Sequence, residues 1–123
     1  MALILIVDDH AEMRLVLSTL MKRGGHRTMA VRSGEGGVNA ALTASPDLII
    51  LDWMLPDKDG LEVLRDLRAT ASTRRIPVII CSSKSDPLEI AEARAAGADD
   101  YWVKGSFDPS EASTRVSQML LAG

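Results

Sequence analysis

Five side chains able to do chemistry sit where short apolar runs end. Asp8 and Asp9 follow Leu3–Val7 in "LILIVDDHAE", and Asp52 follows Leu48–Leu51 in "LIILDWM". Ser82 follows Val78–Cys81 in "VIICSS", and Lys104 follows Tyr101–Val103 in "YWVKG". Adjacent carboxylates at the end of a buried run repel one another and are costly to desolvate, so they are tolerated best around a cation. An ammonium and a hydroxyl are donors, suited to an anion. Each residue also has an ordinary reading. Asp9 with Glu12 could cap a helix, Asp52 could belong to a turn, Ser82 could be a strand-end hydroxyl and Lys104 a solvated surface lysine. Whether the five meet depends on the elements that carry them.

The chain has 123 residues, enough for one domain burying roughly 65 to 70% of its unfolded surface in a single core. Hydrophobic residues make up 46% and charged residues 25%, which is ordinary for a folded globular chain and argues against disorder. A net charge of -3 gives no general attraction for nucleic acid or an anionic membrane. Arg74 and Arg75 form a local doublet, read as a solvated turn. The single cysteine, Cys81, lies inside an apolar run and reads as a buried structural thiol, at home in a reducing cytoplasm. The N-terminus enters its first apolar run without a basic leader, and no run approaches the ~20 residues of a membrane span. These features lead us to expect a cytoplasmic protein. His10 and His26 stand at no metal-ligand spacing to each other or to the cysteine, and on spacing alone neither is given a metal role.

Leu3–Val7, Leu48–Leu51 and Val78–Cys81 are four or five residues long, apolar throughout and rich in Ile, Leu and Val. Such runs are too short for helices and read as strands covered on both faces. Arg27–Val31 and Tyr101–Val103 are less apolar and read as edge strands. Helical spacing lies between: Met13, Val16, Leu17, Leu20 and Met21 before Gly24 and Gly25; Val38, Ala41 and Leu42 before Pro46; Leu61, Leu64 and Leu67. Asp86-Pro87 and Asp108-Pro109 each place a capping carboxylate before a proline at a first helical position, and Glu89 and Glu111 complete the spacing of a capping box. Gly97 ends the fourth helix, and Ala112, Val116, Met119 and Leu120 form the apolar face of the fifth. Five strand-helix units in strict alternation require parallel strands and right-handed crossovers. The expected fold is a (βα)5 doubly wound open α/β sheet, with the flavodoxin-like strand order 2-1-3-4-5 placing the two more polar strands at the edges.

In such a sheet the ligand site lies beyond the carboxyl ends of the strands, at the switch point between the first and third. Neighbouring strands are about 4.8 Å apart, so Asp8, Asp9 and Asp52 converge there, with Ser82 and Lys104 alongside. Clustered hard oxygens with positions left for water suit Mg²⁺, which often bridges to phosphate. A carboxylate beside such an ion can attack phosphorus and form an acyl phosphate, its oxygens neutralised by the metal, Lys104 and the Ser82 hydroxyl.

With these residues in view, the chain resembles a receiver domain of two-component response regulators. The resemblance spans nearly all of residues 1–123 as one domain and rests on "VDDH", "LDWMLPDKDG", "PVIICSS" and "GADDYWVKGSF", in order. It implies that Asp52 is the phosphoacceptor, and that Asp8, Asp9, Asp52 and the backbone carbonyl of Met54 hold Mg²⁺. It also implies that Ser82 is the hydroxyl that swings toward the phosphoryl group, Tyr101 the aromatic whose rotamer follows, and Lys104 the phosphoryl-binding lysine. Tyr101 as a plain packing residue of an edge strand is the ordinary alternative. Implied partners are a sensor histidine kinase or histidine phosphotransfer protein, and a downstream protein met through the fourth helix, fifth strand and fifth helix. A phosphorylation-dependent homodimer is a further assembly of this kind. Direct contact with nucleic acid or membrane is not expected, and the role is signalling rather than enzymatic turnover beyond self-phosphorylation and self-dephosphorylation.

Met54 and Lys84 fall where receivers border the phosphoryl site. One departure stands out: receivers commonly have proline after the lysine, joined by a cis peptide, whereas here Gly105 follows Lys104. A cis bond before a non-proline residue costs about 2.5 to 4 kcal/mol, so a trans bond and a more mobile loop are expected. Three rivals are weaker. A flavodoxin-type carrier needs donors to an anion after the first strand, where "DDHAEM" presents negative charge. An Mg²⁺-dependent aspartyl-phosphate phosphatase would want a second acid where Met54 stands. A pseudo-receiver acting only as a binding module would lack acceptor or metal residues, and all are present. With no sequence after the fifth helix, output is expected through a separate protein, unless these residues belong to a longer chain.

Overall fold

The computed structural model describes residues 2–122. Its elements run β1 (Leu3–Val7), α1 (Ala11–Arg23), β2 (Arg27–Val31), α2 (Gly34–Ala44), β3 (Leu48–Leu51), α3 (Gly60–Ala69), β4 (Val78–Ser82), α4 (Pro87–Ala95), β5 (Asp100–Val103) and α5 (Pro109–Ala122). The strands form one parallel sheet in the order β2-β1-β3-β4-β5. The expected doubly wound α/β sheet is therefore the observed one, with β1 and β3 paired from Ile4↔Leu48 to Val7↔Leu51.

Alternate residues of each strand point to opposite faces, and both faces are covered. On one side Ile4, Ile6, Leu48, Ile50, Ile79 and Cys81 pack with Leu17 and Met21 of α1 and Ala112 and Val116 of α5. On the other, Leu5, Val7, Ile49, Leu51, Val78 and Ile80 meet Ala40 and Ala41 of α2, Leu61, Leu64 and Leu67 of α3, and Ala93 of α4. This two-sided cover explains why the central strands carry no polar alternation. Burial also pushes the Cys81 thiol up to about 12, so it stays protonated and inert.

Sequence and structure differ at some element ends. β5 begins one residue earlier than its apolar letters suggest, at Asp100, which is buried because Arg115, Trp102 and the Tyr101 N–H surround its carboxylate. The prolines open α4 and α5 as expected, but neither capping box forms. Asp86 accepts from the Leu88 N–H and Asp108 from the Ser110 N–H, each two residues on. Glu89 instead holds Lys84 at 2.8 Å, since a side-chain ion pair competes for its carboxylate.

Candidate functional site

The Val7↔Leu51 pairing puts the next residues of both strands, Asp8 and Asp52, at one edge of the sheet. The Asp52 N–H donates to Val7 O at 2.9 Å and the Asp8 N–H to Val31 O at 3.1 Å, fixing the main chain of both. Asp8 is 1% exposed and Asp52 3%, so their carboxylates are nearly withdrawn from water. From β5, Lys104 reaches back over them: its Nζ lies 2.9 Å from Asp8 Oδ2 and 3.0 Å from Asp52 Oδ2. The Lys104 N–H donates to Ser82 O at 2.8 Å and anchors that residue to the end of β4.

Asp9 is partly exposed and caps nothing. The residue preceding α1 is His10, and no side chain caps the helix; Asp8 Oδ1 instead accepts from the His10 N–H at 2.9 Å. Arg14 Nη1 donates to the Asp8 carbonyl at 2.8 Å and braces the turn from inside α1. The turn between β1 and α1 carries His10 into the acids, with Nδ1 3.1 Å from Asp8 Oδ1 and 3.1 Å from Asp9 Oδ1. One ligand atom each from Asp8, Asp9, His10 and Asp52 lies within 4.8 Å of the others. Sequence spacing gave His10 no metal role, and the fold places its ring beside the acids: a lone histidine in a turn shows its neighbours only in three dimensions.

Burial pushes the Asp52 carboxyl above its ordinary range; the Lys104 hydrogen bond opposes this and the nearby Asp8 charge adds to it. Burial works to lower Lys104, but its bonds to Asp8 and Asp52 prevail and hold the ammonium above the ordinary lysine range. The site is thus an acid cluster buried deeply enough to need a cation, with Lys104 already serving as one. A hard donor set of this kind fits a divalent ion such as Mg²⁺. Met54, whose carbonyl is expected at the metal, stands two residues after Asp52, its N–H 3.4 Å from Asp52 Oδ1.

Ser82 is fully buried at the end of β4, its Oγ accepting from the Lys84 N–H at 3.2 Å; no hydrogen bond joins it to Asp52. Tyr101 is 9% exposed, its Oη donating to Lys84 O at 2.7 Å. Its ring meets Trp53 edge-on at 6.4 Å, and Lys84 Nζ sits 5.0 Å above the Trp53 ring. Tyr101 therefore both packs against the core and reaches the loop after β4. The Lys104–Gly105 bond is trans, as expected, since no described bond is cis. Gly105 has φ +82, and the Ser106 N–H donates to Val103 O at 3.1 Å, closing a turn whose third residue takes the positive φ that glycine permits.

The profile of the response regulator receiver domain matches residues 4–117. Similar proteins include the transcriptional regulatory protein AfsQ1 of Streptomyces coelicolor, 41% identical over 103 residues, which covers 84% of this chain and 44% of that one. The DNA-binding response regulator MtrA of Mycobacterium tuberculosis is 34% identical over 117 residues, covering 95% and 50% respectively. The chain spans about half the length of the curated relatives it matches. Among solved structures, the Francisella response regulator 1452 receiver domain superposes with a TM-score of 0.91 at 28% identity, covering 99% of this chain and 98% of that one. The receiver domain of the Pseudomonas aeruginosa sensor histidine kinase PA1611, with a magnesium ion coordinated in its active site cleft, gives 0.87 at 28% identity, with 99% and 98% covered. A profile that runs from β1 into α5 and neighbours that share the whole sheet agree: the chain belongs to the receiver domain family of two-component response regulators.

Proposed function

We propose that residues 1–123 form one receiver domain whose Asp52 carboxylate takes a phosphoryl group from a sensor histidine kinase or a histidine phosphotransfer protein. The observation that carries this reading is the placement of Lys104 Nζ between Asp8 and Asp52, at 2.9 and 3.0 Å, at the rim of a buried acid cluster. An Asp52 oxygen attacks phosphorus, the bond to the donor's nitrogen or oxygen breaks, and the bonding pair leaves with the donor. Lys104 then has a phosphoryl oxygen to hold in place of the bare carboxylate. Asp8, Asp9, Asp52 and the Met54 carbonyl would hold Mg²⁺, which when bound offsets charge on the phosphoryl oxygens.

Ser82 and Tyr101 are the switch pair. The Ser82 hydroxyl, whose Oγ accepts from the Lys84 N–H, turns to donate its O–H to a phosphoryl oxygen, and the loop carrying Lys84 O, the Tyr101 partner, shifts with it. New contacts present only in the phosphorylated state bias the face formed by α4, β5 and α5 toward its output form. A downstream protein, or a second copy of this chain, reads that face. The net charge of -3 gives the domain no attraction of its own for nucleic acid, so DNA binding of the kind named for MtrA would need residues outside this chain. The buried single thiol fits a cytoplasmic setting.

Acetyl phosphate with MgCl₂ should add one acid-stable, base-labile phosphate to the protein, and none to Asp52→Asn. Labelling of Asp52→Asn as full as that of the wild type would refute the acceptor assignment.

A further inference from the structure

His10 is the one member of the acid cluster without a task in the scheme above. Its main chain is fixed by the N–H bond to Asp8 Oδ1 at 2.9 Å, which aims the imidazole at the acids rather than along α1. Nδ1 lies 3.1 Å from Asp8 Oδ1, 3.1 Å from Asp9 Oδ1 and 4.0 Å from Asp52 Oδ2. Two donors each about 2.1 Å from an octahedral ion are about 3.0 Å apart when adjacent and about 4.2 Å when opposite. The two separations of 3.1 Å match an octahedron's edges, and that of 4.0 Å comes near its diagonal.

We propose that His10 Nδ1 is a direct metal ligand, giving this site a nitrogen donor and a preference for borderline first-row ions such as Ni²⁺ and Zn²⁺ beyond what its oxygen atoms confer. The inference rests on the metal site of the receiver reading and adds a ligand to it. Carboxylates and carbonyls suit Mg²⁺, whereas imidazole adds affinity chiefly for transition metals. The side chain is 64% exposed, so with Nδ1 on the ion the ring proton resides on Nε2 in contact with water. A metal at Nδ1 would replace the hydrogen bond that this nitrogen makes with Asp8 Oδ1 at 3.1 Å. At Asp8, Lys104 approaches Oδ2 while His10 lies against Oδ1, so ammonium and imidazole use different oxygens there; at Asp52 both face Oδ2, with Lys104 the nearer at 3.0 Å.

Calorimetric titration of the whole chain with MgCl₂ and separately with NiCl₂ tests this, using wild type, His10→Ala and, as a control away from the site, His26→Ala. His10→Ala is expected to weaken Ni²⁺ by about tenfold or more while changing Mg²⁺ by less than about threefold. Pulsed EPR of the Mn²⁺-loaded protein should show coupling to a directly bound imidazole nitrogen in wild type and His26→Ala, and none in His10→Ala. Intact Mg²⁺ binding with Ni²⁺ affinity indifferent to His10, or equal weakening of both ions, overturns the role of His10 and leaves the receiver reading standing. Failure of wild type to bind either ion overturns both.

Discussion

Lys104 Nζ lies 3.0 Å from Asp52 Oδ2, a contact joining residues 52 apart in the chain across the open edge of the sheet. The same ammonium is 2.9 Å from Asp8, so one cation stands against two carboxylates that are almost wholly buried. Replacing it by Lys104→Met leaves two buried anions facing each other. Without divalent ions the loss in unfolding free energy should be about 2 kcal/mol. Millimolar MgCl₂ should shrink that loss, because an ion that binds the folded state alone stabilises it by mass action. Urea unfolding of both proteins with and without MgCl₂ measures the difference. A loss that ignores magnesium would show that the lysine acts by packing rather than charge.

Asp52, the proposed phosphoacceptor, is buried at the expense of stability. Burial raises its pKa, which at neutral pH is a penalty on the folded state, relieved only as the pH falls and the group takes up its proton. Asp52→Asn removes the buried charge and leaves Lys104 its bond to Asp8. The variant should be more stable than wild type by about 1 kcal/mol at pH 7 without metal. A lower melting temperature for the variant would contradict this account of the site.

Gly60 opens α3 where the chain after Asp52 folds back. A Cβ there would stand 2.2 Å from the Asp52 carbonyl oxygen and 2.7 Å from the Trp53 Cα, both main-chain atoms with nowhere to move. Gly60→Ala should cost about 3 kcal/mol and, by displacing the Asp52 main chain, slow acetyl phosphate labelling as well. Thermal unfolding and labelling of the one variant check both; wild-type values in either would mean the β3–α3 turn yields readily.

Trp53 lies next to Asp52 and Trp102 on the other face of the sheet. The Trp53 ring packs against Tyr101 and under Lys84 next to Asp52, whereas Trp102 stacks on Phe107 at 5.4 Å with its Nε1 donating to Asp100. Adding MgCl₂ should quench tryptophan emission, and Trp53→Phe should abolish that quenching while retaining the Trp102 signal. Full quenching in Trp53→Phe would move the responsive ring to the other face of the sheet.

Asp100 gives the fold a pH dependence of the opposite sign to Asp52. Burial works to raise it, but the bonds from Arg115, the Tyr101 N–H and Trp102 prevail and hold it below the ordinary aspartate range. Its contribution is present above that ordinary range and is lost as the pH falls through the lowered value. Arg115→Gln should therefore be less stable than wild type at neutral pH, and the two stability curves should converge below about pH 3.9 as Asp100 takes up its proton in both. A gap that persists into acid would mean that Arg115 stabilises through its apolar stem instead.

The apolar runs were legible from sequence because the central strands are buried on both faces, and Leu3–Val7 and Leu48–Leu51 begin and end in space where their letters do. The ends of β4 and β5 were not, because Ser82 and Asp100 are buried polar residues whose partners, such as Arg115 of α5 for Asp100, hydrophobic patterning does not reveal. Capping by Asp9, the ordinary alternative to a metal role, does not occur, since the turn gives the first N–H of α1 to no side chain and the His10 N–H to Asp8.

By itself the sequence determined the alternation of strand and helix, hence the parallel sheet, its switch point and the gathering of Asp8, Asp9 and Asp52 there. Those follow from periodicity and from chain-end rules that need no side-chain coordinates. Only the tertiary structure decided which acid oxygens Lys104 takes, that Tyr101 rests on Lys84 O, and that His10 belongs to the cluster. Contacts of this kind depend on the rotation of a side chain and the path of a short turn, and hydrophobic patterning carries no information about either.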